Sequence, residues 1–177
     1  MNFLHSSRRL FAGRPFNYFD QFSRNAKLLL LSTIIGGITF SGFQLFFNFF
    51  VLARGFDRDF LGVLNAIPSG AALIVGIPMG MLSDRMGRRR AILAGIVIAT
   101  LAQWVQVSAA SGAVMVAAGA VTGVGNSLYF LSLAPFMMRA SGEKERTLLF
   151  SLNFGLMTLS CAVGNLLAGQ LPQWFGG

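Results

Sequence analysis

The sequence predicts an all-α membrane protein, built as a bundle of helices that cross a lipid bilayer. Hydrophobic residues make up 54% of the 177 residues and charged residues only 11%, and the mean hydropathy is +0.65. Soluble domains carry about a quarter charged residues, so this composition excludes an ordinary water-soluble domain. The few charges are also grouped, and they separate long stretches that contain no Asp, Glu, Lys or Arg.

These uncharged stretches define five membrane spans. A spanning helix needs about 20 apolar residues, and lipid cannot satisfy an open backbone, so each long stretch is expected to be helical. The stretch Ala91–Met138 has 48 residues and holds two spans, with the small residues of SAASG at 108–112 as the turn. The other three stretches hold one span each. The predicted transmembrane domain, residues 28–171, therefore contains spans at 28–53, 60–82, 91–109, 113–137 and 147–171.

Two short segments lie outside the spans. Residues 1–27 combine basic and aromatic side chains, which predicts a segment lying on the cytoplasmic leaflet; a mitochondrial-type presequence is the alternative. Residues 172–177 follow the last span on the opposite side of the membrane. Because five is an odd number of spans and the chain stops just past a helix, we expect it to be a truncated piece of a longer protein.

The orientation follows from the distribution of Lys and Arg. Twelve of the 14 basic residues fall in the N-terminal segment, the second loop and the fourth loop, which all lie on one side. The other side has only Arg54 and Arg58, and Asp57 and Asp59 flank the latter. Basic residues accumulate in cytoplasmic loops, so the N-terminus is predicted to be cytoplasmic. A bacterial inner membrane, which is a plasma membrane, is the expected location.

Several functional classes are unlikely on composition alone. The net charge of +8 does not predict nucleic-acid binding, because helices that are apolar all round cannot form a basic face. The only cysteine is Cys161 and the only histidine is His5. A disulfide within the chain is impossible, and metal-dependent or histidine-dependent catalysis is not expected. We therefore expect no metal, no cofactor and no enzymatic activity.

The loop between the second and third spans contains the stretch GMLSDRMGRRR, residues 80–90. Arg88, Arg89 and Arg90 are explained as anchors at the lipid phosphates. Asp84 is not, because an acid contributes little to topology and is costly near the apolar region. Gly80 would let another backbone approach, and a glycine after Met86 permits a tight reversal. We expect Asp84 to be partly desolvated and to pair with an arginine or with a helix N-terminus.

This stretch resembles the signature G-x-x-x-D-R-x-G-R-R of the major facilitator superfamily. The matching residues are Gly80, Asp84, Arg85, Gly87, Arg88 and Arg89. The resemblance implies a fold of two six-helix halves that rock about a central site. The chain would then supply five of the six helices in the N-terminal half. It also implies that these six residues act as a conformational latch, docking on the opposite half in the outward-open state.

Two further stretches are similar to patterns in that family. Glu143 and Arg146, between the fourth and fifth spans, resemble its acidic-then-arginine loop; an ordinary solvated loop is the alternative. In the fifth span, SCAVGNLLAG matches the antiporter pattern G-x-x-x-G-P-x-x-G-G only at Gly164 and Gly169, and Asn165 replaces the proline. A packing face of small residues is therefore the preferred interpretation of this span.

Polar side chains on the first, fourth and fifth spans are the candidate contacts for a solute, because the resemblance implies a cavity lined by the first, second, fourth and fifth spans. The candidates are Gln44, Asn48, Asn126, Tyr129 and Asn153. Hydrogen bonding to a neighbouring helix is the alternative for each. No charged residue or histidine lies within a span, so these spans hold no proton carrier.

The predicted function is transmembrane transport of a small solute by alternating access, with this chain as part of a secondary transporter and inactive alone. Its partners would be the bilayer, the missing C-terminal half and an unknown small molecule. The alternative is a non-transporting membrane scaffold that uses half of the fold. A half-transporter that pairs with itself is a third possibility, although five spans would place the two copies awkwardly.

Overall fold

The computed structural model describes residues 22–142 and 145–175, with side chains described as far as Gln170. These residues form five α-helices and no strand, and each helix is long and apolar enough to cross a membrane. The predicted fold class and the number of spans are confirmed. The helices are α1 (Arg24–Ala53), α2 (Arg58–Met86), α3 (Arg88–Ser108), α4 (Gly112–Ala140) and α5 (Arg146–Phe175).

The helix ends are set by local capping, and most helices extend beyond the uncharged stretches. The Ser23 hydroxyl accepts from the amide of Ala26 at the start of α1, and the Asp57 carboxylate accepts from the amide of Phe60 at the start of α2. Gly55 and Gly87, which follow the ends of α1 and α2, have positive φ of 85° and 86°, values that a residue with a Cβ rarely adopts. Below, the end of the bundle that carries Gly87 is called the inner end, and the end that carries Gly55 the outer end.

The helices pack as two groups. One group is the pair α1 and α5, and in the other α4 packs against both α2 and α3; few contacts join the groups. Glycines let the backbones meet within each group. A Cβ on Gly123 of α4 would lie 2.1 Å from the Pro68 carbonyl oxygen of α2, and one on Gly125 would lie 2.7 Å from the amide nitrogen of Ala99 in α3.

The pair α1 and α5 uses the small residues that resembled the antiporter pattern. A Cβ on Gly164 would lie 2.6 Å from the Ile38 carbonyl oxygen, and the Ser41 hydroxyl donates to the Cys161 carbonyl oxygen at 2.7 Å. Ser160 and Ala168, one turn to either side of Gly164, are buried. Within this chain, these residues form a packing face against α1.

The two groups are joined at the ends of the bundle. An inner apolar cluster combines residues of α1, α4 and α5: Phe22, Ala26, Leu29, Leu30, Leu133, Met137 and Leu149. An outer cluster combines α1 and α2 with the turn between α3 and α4 and the start of α4: Phe47, Val51, Leu64, Ala109 and Met115. Between these clusters the groups stand apart, and an open groove separates α1 from α3.

Candidate functional site

The turn that carries the signature is tighter than its sequence suggests. Helix α2 continues to Met86 and α3 begins at Arg88, so Gly87 is the only residue between them. Its φ of 86° and ψ of 138° turn the chain where a residue with a Cβ would be strained. The arginines predicted to lie in a loop are therefore helical, and Arg88, Arg89 and Arg90 form the first turn of α3.

Asp84 pairs with Arg88 across this turn. The carboxylate of Asp84 forms an ion pair with the Arg88 guanidinium, four residues later. The Asp84 side chain is 63% exposed in this chain, whereas that of Arg88 is 19% exposed. Because helix α2 continues past the apolar span, the carboxylate lies beyond the end of that span. The exposed carboxylate therefore points away from the bundle and is accessible to a group outside it.

Ser83 connects the turn to α4, and no feature of its sequence context singles it out. Its hydroxyl oxygen lies 2.6 Å from that of Ser132 on α4, and both side chains are fully buried. Since Ser132 donates to the Leu128 carbonyl oxygen at 2.6 Å, Ser83 donates to Ser132 and accepts from Arg88 at 3.0 Å. This chain of hydrogen bonds runs from Arg88 through two buried serines to the backbone of α4.

The remaining signature residues lie on open surface. A Cβ at Gly80, or at Gly76 one turn earlier, would meet nothing within 4 Å, so no helix of the described chain packs on this pair. Arg85 and Arg89 are exposed and form no ion pair or hydrogen bond with the described residues. The structure thus joins Asp84, Gly87 and Arg88 in one tight turn, and around it Arg85 and Arg89 have no ion pair or hydrogen bond with the described residues.

The stretch between α4 and α5 is only partly described. Glu143 lies outside the described residues. Arg146 begins α5, and its Nε is buried with no hydrogen-bond partner among the described residues.

Two of the candidate solute contacts belong to a cluster of amides between α1 and α2. The Gln44 amide donates to the Asn65 side-chain oxygen at 2.7 Å, and the Asn65 amide donates to the Asn48 side-chain oxygen at 3.3 Å. Asn65 is exposed, and Gln44 and Asn48 are half-buried. Sequence reasoning missed Asn65, although it is the only amide side chain on α2. Three amides thus line one surface in the outer half of the bundle.

Asn153 on α5 occupies a different environment. Its side-chain oxygen accepts from the Thr33 hydroxyl of α1 at 2.7 Å, and both side chains are buried. This bond joins α1 to α5 in the way expected of a polar pair between membrane helices. This buried interhelical bond favours the alternative interpretation of Asn153, hydrogen bonding to a neighbouring helix, over contact with a solute.

Asn126 and Tyr129 line the lateral groove, which we define as the cavity of about 710 Å³ between α1, α3 and α4. Ile96 and Trp104 of α3 line it, and so does Met157 of α5. Both Asn126 and Tyr129 are half-buried, on the side of α4 that faces α1 and α3. The structure therefore separates the candidates into an amide cluster, a buried interhelical bond and a groove.

Residues that commonly bind metals are not grouped in the described part of the chain. No three His, Cys, Asp or Glu side chains come together there. At the inner end, the arrangement offers exposed arginines and the accessible carboxylate of Asp84, and in the outer half it offers hydrogen-bonding amides.

Five spanning helices joined by short turns define a polytopic α-helical membrane protein, embedded in a lipid bilayer. A family model described as Major Facilitator Superfamily matches residues 29–177, which is most of the chain and includes the whole turn around Gly87. The chain belongs to this family of transporters. No curated protein matches the sequence.

Proposed function

We propose that the chain is the N-terminal part of a secondary transporter that moves a small solute by alternating access. Its family membership and the complete signature at the turn between α2 and α3 support this function. In such transporters two helical halves rock about a site near the middle of the membrane. We place the turn on the cytoplasmic side of a bacterial inner membrane, because of the excess of basic residues there.

The exposed carboxylate of Asp84 is the observation on which the latch depends. Its one ion pair among the described residues, with Arg88, leaves its side chain 63% exposed and open to a group from the opposite half. The Ser83–Ser132 bond fixes the turn to α4, so movement of α4 moves the turn as well. Docking of Asp84 on the opposite half would stabilise the outward-open state, and inward opening would break this contact.

The amide cluster of Gln44, Asn48 and Asn65 is the proposed lining for the solute path. Exposed amides are costly against lipid, where no water replaces their hydrogen bonds, so this surface fits a wet cavity better than an acyl-chain environment. The cluster carries no charge. A neutral hydrogen-bonding solute is therefore the cargo class that we propose.

The function is tested by uptake into vesicles that contain the complete transporter with this chain. A solute panel first identifies what the wild-type protein moves relative to empty vesicles. Asp84→Asn removes the docking charge and is expected to lower the initial rate at least fivefold. Asp59→Asn, which removes an exposed acid at the outer end, is the matched control and should leave the rate unchanged. Equal rates for Asp84→Asn and wild type would contradict the latch, and uptake of no solute would favour a scaffold.

A further inference from the structure

The amide cluster has hydrogen-bonding capacity that its own members do not use. Gln44 donates to Asn65 and Asn65 donates to Asn48, so the bonds form a chain with Asn65 in the middle. At the two ends, the Gln44 carbonyl oxygen and the Asn48 NH₂ group have no hydrogen-bond partner among the described residues. The chain of amides therefore ends in a free acceptor on one side and a free donor on the other.

These free groups lie inside the apolar layer of the membrane. Ala72 is the middle residue of α2 (Arg58–Met86), and Asn65 precedes it by about 10 Å along the helix axis. With the middle of α2 at the bilayer midplane, Asn65 is inside the hydrocarbon core, half of which is about 15 Å thick. Acyl chains would leave the free groups without partners, whereas water or a hydrogen-bonding solute would satisfy them.

Helix α2 extends the polar surface beyond the amides. Ser69 follows Asn65 by four residues and Gly62 precedes it by three, so the three residues share one face of α2. Ser69 is exposed, and its hydroxyl has no hydrogen bond in the described chain. A Cβ at Gly62 would meet nothing within 4 Å. This face therefore places a free hydroxyl on one side of the amides and open space on the other.

No charge accompanies these polar groups on the two helices. On α1 no charged residue lies between Lys27 and Arg54, and on α2 none lies between Asp59 and Asp84. A carboxylate or an ammonium group of a solute would therefore lose its hydration here without gaining an opposite charge from α1 or α2. The surface favours an uncharged solute that forms hydrogen bonds.

The direction of the amide chain selects among uncharged groups, because it can reverse. Rotation of each terminal amide exchanges its oxygen and its NH₂ group, so the bonds can also run from Asn48 through Asn65 to Gln44. The free donor is then at Gln44 and the free acceptor at Asn48. A carbonyl or ether oxygen matches only one end in each direction. A hydroxyl group both donates and accepts, so it matches either end in either direction.

We propose that the amide cluster binds a neutral polyhydroxylated solute, an assignment that rests on the transport function proposed above. Gln44 and Asn48 are one turn apart, about 6 Å along α1, so one hydroxyl group cannot contact both free ends. The solute therefore offers at least two hydroxyl groups, one for each end of the amide chain. The Ser69 hydroxyl is available for a third. Water occupies this surface when no solute is bound.

Protection of a nearby cysteine measures this binding in the complete transporter. In a Cys161→Ser background, Gly62→Cys introduces a thiol one turn from Asn65, at a position with open space. Right-side-out vesicles are labelled with an impermeant maleimide while glucose, mannitol or inositol is added. Three matched probes are tested in the same way. Tetrahydropyran lacks the hydroxyl groups of the glucose ring, and gluconate and glucosamine each add a charge.

We expect at least one polyhydroxylated probe to protect the thiol at a concentration at least tenfold below that of every matched probe. Asn65→Leu removes the centre of the amide chain and Asn48→Leu removes one end, so each should raise the protecting concentration at least tenfold. Gln103→Leu replaces an amide on α3, outside the cluster, and as the control should leave that concentration unchanged. Circular dichroism and size-exclusion chromatography verify that each variant is folded.

Three results would overturn this assignment. Absence of protection by every polyhydroxylated probe would indicate that the surface holds only water. Equal protection by tetrahydropyran or by a charged probe would exclude selection through hydroxyl groups. Unchanged protection in both Asn65→Leu and Asn48→Leu would place the binding site elsewhere.

The same vesicles distinguish failure of this assignment from failure of the transport function. Uptake of a charged or apolar solute, with no protection by the polyhydroxylated probes, would contradict the solute class and leave transport intact. Protection by a polyhydroxylated probe, with uptake of no solute, would support the binding site and contradict transport.

Discussion

At the scale of single residues, the turn around Gly87 depends on a serine as well as on the signature. Ser83 accepts from Arg88 and donates to Ser132, and neither serine is exposed. Arg88 thereby has a second partner besides Asp84, and both partners lie on α2. The position of the exposed carboxylate consequently depends on two buried hydroxyl groups that make no contact with the bilayer.

Ser83→Ala is predicted to loosen this turn. It removes two hydrogen bonds, one of them to a charged group, and should lower the free energy of local opening by about 1–2 kcal/mol. Trypsin should then cleave after the arginines of the turn roughly 5- to 30-fold faster. Ser69→Ala is the control, since Ser69 is an exposed serine on α2 with no hydrogen bond in the described chain. Identical cleavage rates for the two variants would contradict the role of Ser83.

The role of a single residue could be predicted from the sequence where it depends only on the local backbone conformation. Gly87 was predicted to permit a tight reversal, and its φ of 86° agrees. Ser83 could not be selected, because a serine in an apolar span is equally compatible with facing lipid, its own backbone or a neighbouring helix. The helical position of Asp84 could not be predicted either, because the sequence does not show how far the helix continues past the apolar stretch.

At the scale of helices, glycine determines how closely α4 approaches its neighbours. Gly123 meets the backbone of α2 at Pro68, while Gly125 meets the backbone of α3 at Ala99. Membrane helices gain little from the hydrophobic effect between them, so their association depends on such close packing. The two contacts lie half a turn apart on α4 and explain why this helix is the centre of its group.

Gly123→Ala is predicted to destabilise the bundle. Its Cβ would lie 2.1 Å from the Pro68 carbonyl oxygen, a backbone atom that can move only with its helix. Overpacking of this kind costs about 1–3 kcal/mol. The midpoint of unfolding in sodium dodecyl sulfate should fall accordingly. Gly76→Ala is the control, because a Cβ there meets nothing within 4 Å, and its midpoint should be unchanged. A midpoint for Gly123→Ala equal to or above that of Gly76→Ala would contradict the packing.

The number of helices followed from the uncharged stretches, but their ends did not. Span boundaries taken at the first charged residue miss Arg24–Lys27 in α1 and Asp84–Met86 in α2, which are helical. Capping by Ser23 and the positive φ of Gly87 set the true ends. Pairing of α1 with α5 was not predictable, because small residues on several helices are compatible with more than one arrangement.

At the scale of the whole molecule, the bundle is two helix groups joined at their ends. Apolar clusters hold the inner and outer ends together, and the lateral groove lies between them. The Ser23 hydroxyl adds an inner connection by donating to the Ala140 carbonyl oxygen at 2.8 Å. Arg54 adds an outer connection by donating to the Ala109 carbonyl oxygen. The two groups are therefore in contact at both ends of the bundle and separated by the groove between them.

The orientation in the membrane is predicted from the basic residues. In a Cys161→Ser background, which removes the only cysteine, Arg89→Cys should react with an impermeant maleimide only after the cells are permeabilised. Asp59→Cys should react in intact cells, because it lies in the outer turn region. Both positions are exposed, so access to the side chain does not limit either reaction. The reverse labelling pattern would contradict a cytoplasmic N-terminus.

Alternating access controlled by Asp84 is the central claim, and external labelling of the amide cluster tests it most directly. In the complete transporter with Cys161→Ser, Gln44→Cys reports whether the proposed solute path is open to the outside. Adding Asp84→Asn should weaken the outward-open state and slow labelling by an external maleimide at least fivefold, while adding Asp59→Asn should not. An unchanged labelling rate with Asp84→Asn would contradict the account.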